Sequence, residues 1–283
     1  MNIIDGKKIA QKIRKDLKKK ILLSPIKPGL GVILVGNDPA SKLYVSLKER
    51  ACREAGIKFK KILFPAKIST EKIIKQIALL NRSKSIHGII VQLPLPLHLP
   101  TNKIIDTIDP LKDVDGFHPK NIQKIMGGKK IVEPVLTKAI WQLIRTALKN
   151  KNGQGLKCAI LGKSDVFLFP LQIILKNKGL DVDRFNLKNI KVKNLKKYDI
   201  VVVAVGRPDF LNGSMFKKGA IVIDVGINKS KNGQIIGDVN FSTTLSVKGW
   251  ITPVPGGVGP LTVAMLLENT YLLFKKQYGL HKS

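Results

Sequence analysis

Gly88-Ile89-Ile90-Val91-Gln92-Leu93-Pro94-Leu95-Pro96 is the stretch on which the fold reading turns. Gly88–Gln92 shows no polar alternation, so it reads as a strand buried on both faces, as in a parallel sheet covered by helices. The prolines stop it, because a proline cannot donate to a central ladder. Upstream, the pattern predicts a strand over Leu30–Val35, closed by Gly36-Asn37-Asp38-Pro39, and a helix from about Ala40 to Ala55 ended by Gly56. A strand over Phe59–Phe64 and a helix near Thr70–Leu80 follow. Downstream, a second unit begins after Gly127-Gly128 with a helix from Thr137 to about Lys149 and a strand over Lys157–Leu161. A helix opened by Pro170 and a strand over Asp181–Phe185 come next. Strands Ile200–Val205 and Ala220–Val225 then end at Gly206 and Gly226, where ligand loops leave the carboxyl edge of such a sheet. PVPGGVGP at 253–260 reads as a rigid loop, with a last helix from Leu261 to about Phe274. Apolar runs alternating with helical patterns predict a parallel α/β architecture, and the lack of a fixed repeat excludes a solenoid.

The chain has 283 residues, 44% of them hydrophobic, and a mean hydropathy of +0.05, enough for a buried core and for one large domain or two ordinary ones. The opening alternates apolar and basic residues in a helical rhythm, unlike the unbroken apolar stretch of a signal peptide. No run of about 18 apolar residues occurs, so no membrane span or membrane partner is expected. Cys52 and Cys158 lack a neighbouring Cys or His at metal-ligand spacing and read as reduced structural thiols of a cytoplasmic protein. Fifty basic and nineteen acidic residues give a net charge of +31, which raises the question of a polyanionic partner. Only seven of the fifty are arginines, the better residue for bidentate phosphate and base contacts, and the lysines are spread evenly. The charge therefore reads as an AT-rich coding bias on solvated faces, able to attract an anionic substrate. A nucleic-acid-binding protein on a relic enzyme scaffold is the distant rival; it lacks a recognition helix, an aromatic strand and an arginine cluster.

Tyr44 and Lys48 stand four apart on the predicted helix and share one face. An amine there becomes a useful proton carrier only if burial or positive neighbours lower its pKa. In so lysine-rich a chain the pair alone is a solvated helix face. Its setting changes that reading. SKLYVSLKERAC at 41–52, GIIVQLPLP at 88–96, DPLKDVDGFHP at 109–119 and TPVPGGVGPLTVAMLLENT at 252–270 occur in this order. With the opening IIDGKKIAQKIR, VGNDPAS at 35–41, GAIVIDVGIN at 219–228 and GDV at 237–239, the chain resembles the bifunctional methylenetetrahydrofolate dehydrogenase/methenyltetrahydrofolate cyclohydrolase family over essentially its whole length.

That resemblance implies a three-layer α/β folate domain over residues 1–130, completed by a C-terminal helix at 261–283. It also implies a Rossmann-type NAD(P)-binding domain over 131–255, and an active cleft between the two. Lys48 matches the family's catalytic lysine, Gln92 its supporting glutamine and Tyr44 the tyrosine that packs on the folate. Asp115 matches the aspartate that holds the pterin; Leu93, Pro255, Gly256 and Gly257 match residues of the folate cleft. Gly162, Lys163, Ser164 and Ile227 match the cofactor side. The implied reaction is oxidation of 5,10-methylenetetrahydrofolate with NADP, NAD being the alternative, then hydrolysis of the methenyl product to 10-formyltetrahydrofolate. Tetrahydrofolate is the substrate carrier, no metal is implied, and a homodimer is expected. The competing reading is a monofunctional cyclohydrolase with a weakened or lost dehydrogenase.

The cofactor side departs from its family. Gly-Arg-Ser-x-x-Val-Gly-x-Pro becomes Gly162-Lys163-Ser164-Asp165-Val166-Phe167-Leu168-Phe169-Pro170, so a leucine replaces the second glycine. Its side chain is expected to enter the space where chain and cofactor approach. Phe185-Asn186-Leu187-Lys188 replaces His-Ser-Arg-Thr, and Pro134-Val135-Leu136-Thr137 replaces Pro-Cys-Thr-Pro. Weaker NADP binding and narrower discrimination against NAD are therefore expected, with Lys163 as partner of the 2′-phosphate.

Overall fold

The computed structural model describes the chain apart from residues 129–131, 150–152, 187–194, 231 and 280–283. Its first half runs β1 (Asn2–Ile3), α1 (Gly6–Leu22), β2 (Gly29–Val35), α2 (Pro39–Ala55), β3 (Lys58–Phe64), α3 (Thr70–Arg82), β4 (Gly88–Val91), α4 (Thr101–Ile105) and α5 (Pro119–Met126). The second half runs α6 (Val135–Ala147), β5 (Lys157–Gly162), α7 (Asp165–Asn177), β6 (Asp181–Asn186), β7 (Ile200–Ala204), β8 (Ala220–Asp224), β9 (Asn228–Lys229), β10 (Ile235–Ile236), β11 (Gly249–Ile251) and α8 (Val258–Gln277). Two compact units result: Gln11–Val135 with Val263–Ser283, and Met1–Ala10 with Leu136–Thr262.

The unit from Gln11 is built on a parallel sheet of order β3-β2-β4. All seven residues of β2 are buried, which is why its run is uniformly apolar; β3 lies at an edge and mixes exposed with half-buried positions. The Asp38 carboxylate caps α2 by accepting the Ser41 N–H at 2.7 Å, with Pro39 in the first turn. Gly56, at φ +80°, ends α2 in the left-handed conformation that a side chain would resist.

Directly before β4, His87 Nδ1 accepts the Gly29 N–H at 2.9 Å, and the ring stands edge-on to Phe274 at 4.9 Å. Burial, reinforced by the nearby Lys112 ammonium, pushes His87 down to about 4. Both folded and unfolded chains hold it neutral above the ordinary value. As pH falls from about 6.5 toward 4 the unfolded chain takes a proton that the folded one refuses, so stability is lost on the order of 2–3 kcal/mol across that window. His87→Asn keeps an acceptor but cannot titrate, so its urea midpoint should fall less between pH 7 and 4.5 than the wild type's. Equal falls in the two proteins would rule His87 out as the acid-sensitive group.

The unit containing Leu136–Thr262 holds a six-stranded, all-parallel sheet of order β1-β11-β8-β7-β5-β6. Its inner strands carry the core: Ala159, Leu161, Val201, Val203 and Val222 are fully buried, with Leu211 and Tyr198 packed on them. The first ten residues belong here, not with the folate half expected over 1–130, and the unit runs on to Thr262. The cause is β1, whose Asn2 and Ile3 pair with Trp250 and Ile251, while the Ile4 N–H donates to the Ile251 carbonyl at 2.8 Å.

Two helix starts also differ from expectation. α7 opens at Asp165 after Ser164, so Pro170 lies in its second turn. There it removes only one backbone donor, and the sheet-facing stripe of Leu168, Leu171, Ile174 and Leu175, all buried, carries the helix past it. α8 opens at Val258, inside PVPGGVGP; Pro260 sits in the first turn, where the N–H groups lack helical partners anyway. Among the described residues no helix is long and apolar enough to cross a membrane.

Candidate active site

In the unit from Gln11, a cavity is lined by Lys48 from α2, Ile89–Leu93 from β4 and its end, and Asp113, Asp115 and Phe117 from the loop between α4 and α5. Lys48 Nζ donates to Gln92 Oε1 at 2.7 Å. Gln92, itself buried, donates its own Nε2 to the Leu93 carbonyl at 2.7 Å. That second bond decides which way the carboxamide faces: its oxygen, the acceptor, is turned to the lysine. Burial lowers the Lys48 pKa, and it outweighs the nearby Asp115 carboxylate, which acts the other way. Asp115 is raised to about 6 by burial, with Lys48 pulling it down and Asp113 pushing it up. The site thus holds an amine and a carboxylic acid, both biased toward their neutral forms, as proton carriers require.

Asp113 shapes the loop. Its carboxylate accepts the Gly116 N–H at 3.0 Å, the His118 N–H at 2.9 Å and Asn121 Nδ2 at 3.0 Å. Asn269 of α8 supports the same loop, donating to the Val114 carbonyl at 3.0 Å.

In the other unit, Gly162, Gly206 and Gly226 stand at or just past the carboxyl ends of β5, β7 and β8. Asp238 fixes the loop after β7: its carboxylate accepts the N–H groups of Val205 at 2.5 Å, Gly206 at 3.0 Å and Arg207 at 2.9 Å, and Asn228 Nδ2 at 2.9 Å. Asp224 fixes the loop after β8 by accepting the N–H groups of Gly226, Asp238 and Val239; burial still raises it to about 6. This edge fits a dinucleotide. Space lies open over Gly206, Ser164 makes no side-chain cap bond to the first turn of α7, and Ile227 is exposed beside its loop.

Comparison with known proteins matches both halves of the chain. Residues 4–115 match the family model described as tetrahydrofolate dehydrogenase/cyclohydrolase, catalytic domain, and residues 134–278 match its NAD(P)-binding domain. The bifunctional protein FolD of Ruthia magnifica subsp. Calyptogena magnifica is 46% identical over 276 residues, covering 97% of this chain and 99% of that protein. The chain belongs to the tetrahydrofolate dehydrogenase/cyclohydrolase family. The crystal structure of the bifunctional FolD dehydrogenase/cyclohydrolase of Campylobacter jejuni superposes with a TM-score of 0.90 at 38% identity, covering 98% of this chain and 99% of that one. A Trypanosoma brucei dehydrogenase-cyclohydrolase, solved with NADP cofactor and inhibitor, does so with a TM-score of 0.87 at 31% identity, covering 98% of each chain.

As a member of this family, the chain brings Lys48, Gln92, Leu93 and Asp115 together at one cavity. Tyr44 lies one turn before Lys48 on α2, exposed and outside that lining. Pro255, Gly256 and Gly257 lie in the other unit, where Gly256 holds φ +117° and accepts the Lys7 N–H at 3.0 Å. The expectation for Leu168 is corrected: its side chain is fully buried and rests on Gly162, whose added Cβ would come within 3.1 Å of Leu168 Cδ2. Position 168 falls on the sheet-facing stripe of α7, so the isobutyl group packs into the core and leaves the loop surface alone. Phe185 and Asn186 end β6, whereas Leu187 and Lys188 lie outside the described residues. Sequence reading missed Asp113, Asp224 and Asp238; the signal available was their place in the DVDGFHP, GAIVIDVGIN and GDV strings.

Proposed function

We propose that this chain oxidises 5,10-methylenetetrahydrofolate to the 5,10-methenyl cation with NADP, then hydrolyses that cation to 10-formyltetrahydrofolate. The observation that carries the reading is the Lys48–Gln92 hydrogen bond in the cavity shared with Asp115. Gly162, Lys163, Ser164 and Ile227 would hold the dinucleotide, which supplies the hydride acceptor for the first step. In the second step water adds to the methenyl carbon, and neutral Lys48 accepts one of its protons at Nζ. Gln92 Oε1 holds that nitrogen in place. As the bond from this carbon to N5 breaks, the Lys48 ammonium returns a proton to N5, and the remaining hydroxyl proton leaves as the formyl group forms. Burial keeps Lys48 below an ordinary lysine, so more of it is neutral at working pH.

Asp115 accepts the N–H donors of the pterin, with Tyr44 and Leu93 of the same unit adding folate contacts. Asp115→Ala should weaken folate binding by roughly one to two decades, the worth of a charge-assisted hydrogen bond. The pH sign is specific. The folded value of about 6 lies above the unfolded one, so this group adds folding stability as pH falls through 6, while folate affinity drops over the same window. A calorimetric titration showing affinity unchanged from pH 7.5 to 5 would move the pterin site elsewhere. The enzyme is further proposed to act as a homodimer in the cytoplasm, a compartment that suits its free, buried Cys52 and Cys158. Paired assays of methenyl hydrolysis and NADP-dependent methylene oxidation on the purified protein test the whole reading; absence of both activities overturns it.

A further inference from the structure

In the six-stranded sheet the chain leaves β5, crosses by α7 to β6 on one side, and then continues at β7 on the other. β5 is therefore the switch point, where a dinucleotide lays its phosphates beside the following helix. In such sheets the ribose 2′ position is read near the end of the neighbouring strand, about 20 residues further on, by an acid for a hydroxyl or an arginine for a phosphate. Here that strand is β6, and its last residue is the neutral Asn186. The acid arrives from the helix instead. Asp165 opens α7, its side chain 61% exposed; Oδ2 accepts Asn186 Nδ2 at 3.0 Å, and Oδ1 lies 3.3 Å from Arg184 Nη1. The Arg184 guanidinium also lies over the Phe169 ring at 5.6 Å.

The arrangement has a chemical consequence. Arg184 is the planar, bidentate cation best suited to a 2′-phosphate, but Asp165 already engages it. The carboxylate accepts a hydrogen bond from a ribose hydroxyl and repels a phosphate dianion. In a chain with fifty basic and nineteen acidic residues, an exposed acid at this point is not background. We infer that Asp165 is the specificity-determining residue of the dinucleotide site, placing a carboxylate against the ribose 2′ substituent and so narrowing the preference for NADP over NAD. The inference rests on the dehydrogenase reading above. It transfers to Asp165 the effect that the sequence suggested for Leu168.

Calorimetric binding of NADP and NAD, with 2′,5′-ADP and 5′-AMP as fragments carrying and lacking the 2′-phosphate, tests it without an activity readout. Asp165→Asn should tighten NADP and 2′,5′-ADP by roughly ten-fold, while NAD and 5′-AMP, whose 2′-hydroxyl loses its carboxylate partner, should not tighten. Asp165→Ser should act in the same direction, so the result does not hang on one variant. Arg184→Ala added to Asp165→Asn should remove the gain, because the released guanidinium supplies it. An NADP-to-NAD affinity ratio unmoved in both single variants overturns this assignment alone. A wild-type protein that binds neither dinucleotide overturns the dehydrogenase reading together with it.

Discussion

Lys48→Met should abolish methenyl hydrolysis while leaving the protein folded and able to bind folate. Positioned proton transfer contributes typically about 10²–10⁴-fold to a rate, and methionine fills a similar volume without a titratable atom. The local losses are small: Gln92 Oε1 loses its donor, and a desolvated amine is removed with it. Lys48→Arg sharpens the test. Arginine keeps the positive charge near Asp115 but cannot release a proton at working pH, so it should be as inactive as methionine. Hydrolysis by Lys48→Arg close to the wild-type rate would show that the site needs charge alone, and the proton-transfer mechanism would fail.

Leu168→Gly should unfold the protein at lower temperature without improving cofactor binding. The side chain is fully buried against Gly162 on the inner face of α7. Removing a buried leucine and placing glycine within a helix together cost about 3–5 kcal/mol. Read only as a family departure, the same substitution should gain affinity by opening the loop. Thermal melts and NADP titrations on one preparation separate the two, since a more stable or tighter-binding variant would contradict the packing described here.

Much of the fold could be read from the sequence where one strong cause acts. Gly88–Val91 is recognisable because burial on both faces leaves no polar position, and α2 because Asp38, Pro39 and Gly56 punctuate it. β1 and β11 were not recognisable. Strands of two and three residues carry no periodicity, and their pairing joins opposite ends of the chain. Pro170 and Pro260 misled for a different reason: Pro170 reads as a helix opening although it already lies in the second turn, and Pro260 reads as loop although the last helix has begun. At the site, the family strings pointed to Lys48, Gln92 and Asp115. The orientation of the Gln92 amide depends on the Leu93 carbonyl, and the work of Asp113, Asp224 and Asp238 on backbone N–H groups. The strings mark where these side chains stand, but which N–H groups they accept is set by how the chain folds around them and is not written in the strings.

The partnership of Asn2 and Ile3 with Trp250 and Ile251 also sets a timetable. At about 5–20 residues per second on the ribosome, the strand made first waits roughly ten to fifty seconds for the strand it joins. The unit from Gln11 waits as well, since buried Leu267, Asn269, Thr270 and Phe274 of α8 complete it. Neither unit can close while the nascent chain is short, so assembly belongs to the last moments of translation, and a single cut between the units would leave both incomplete.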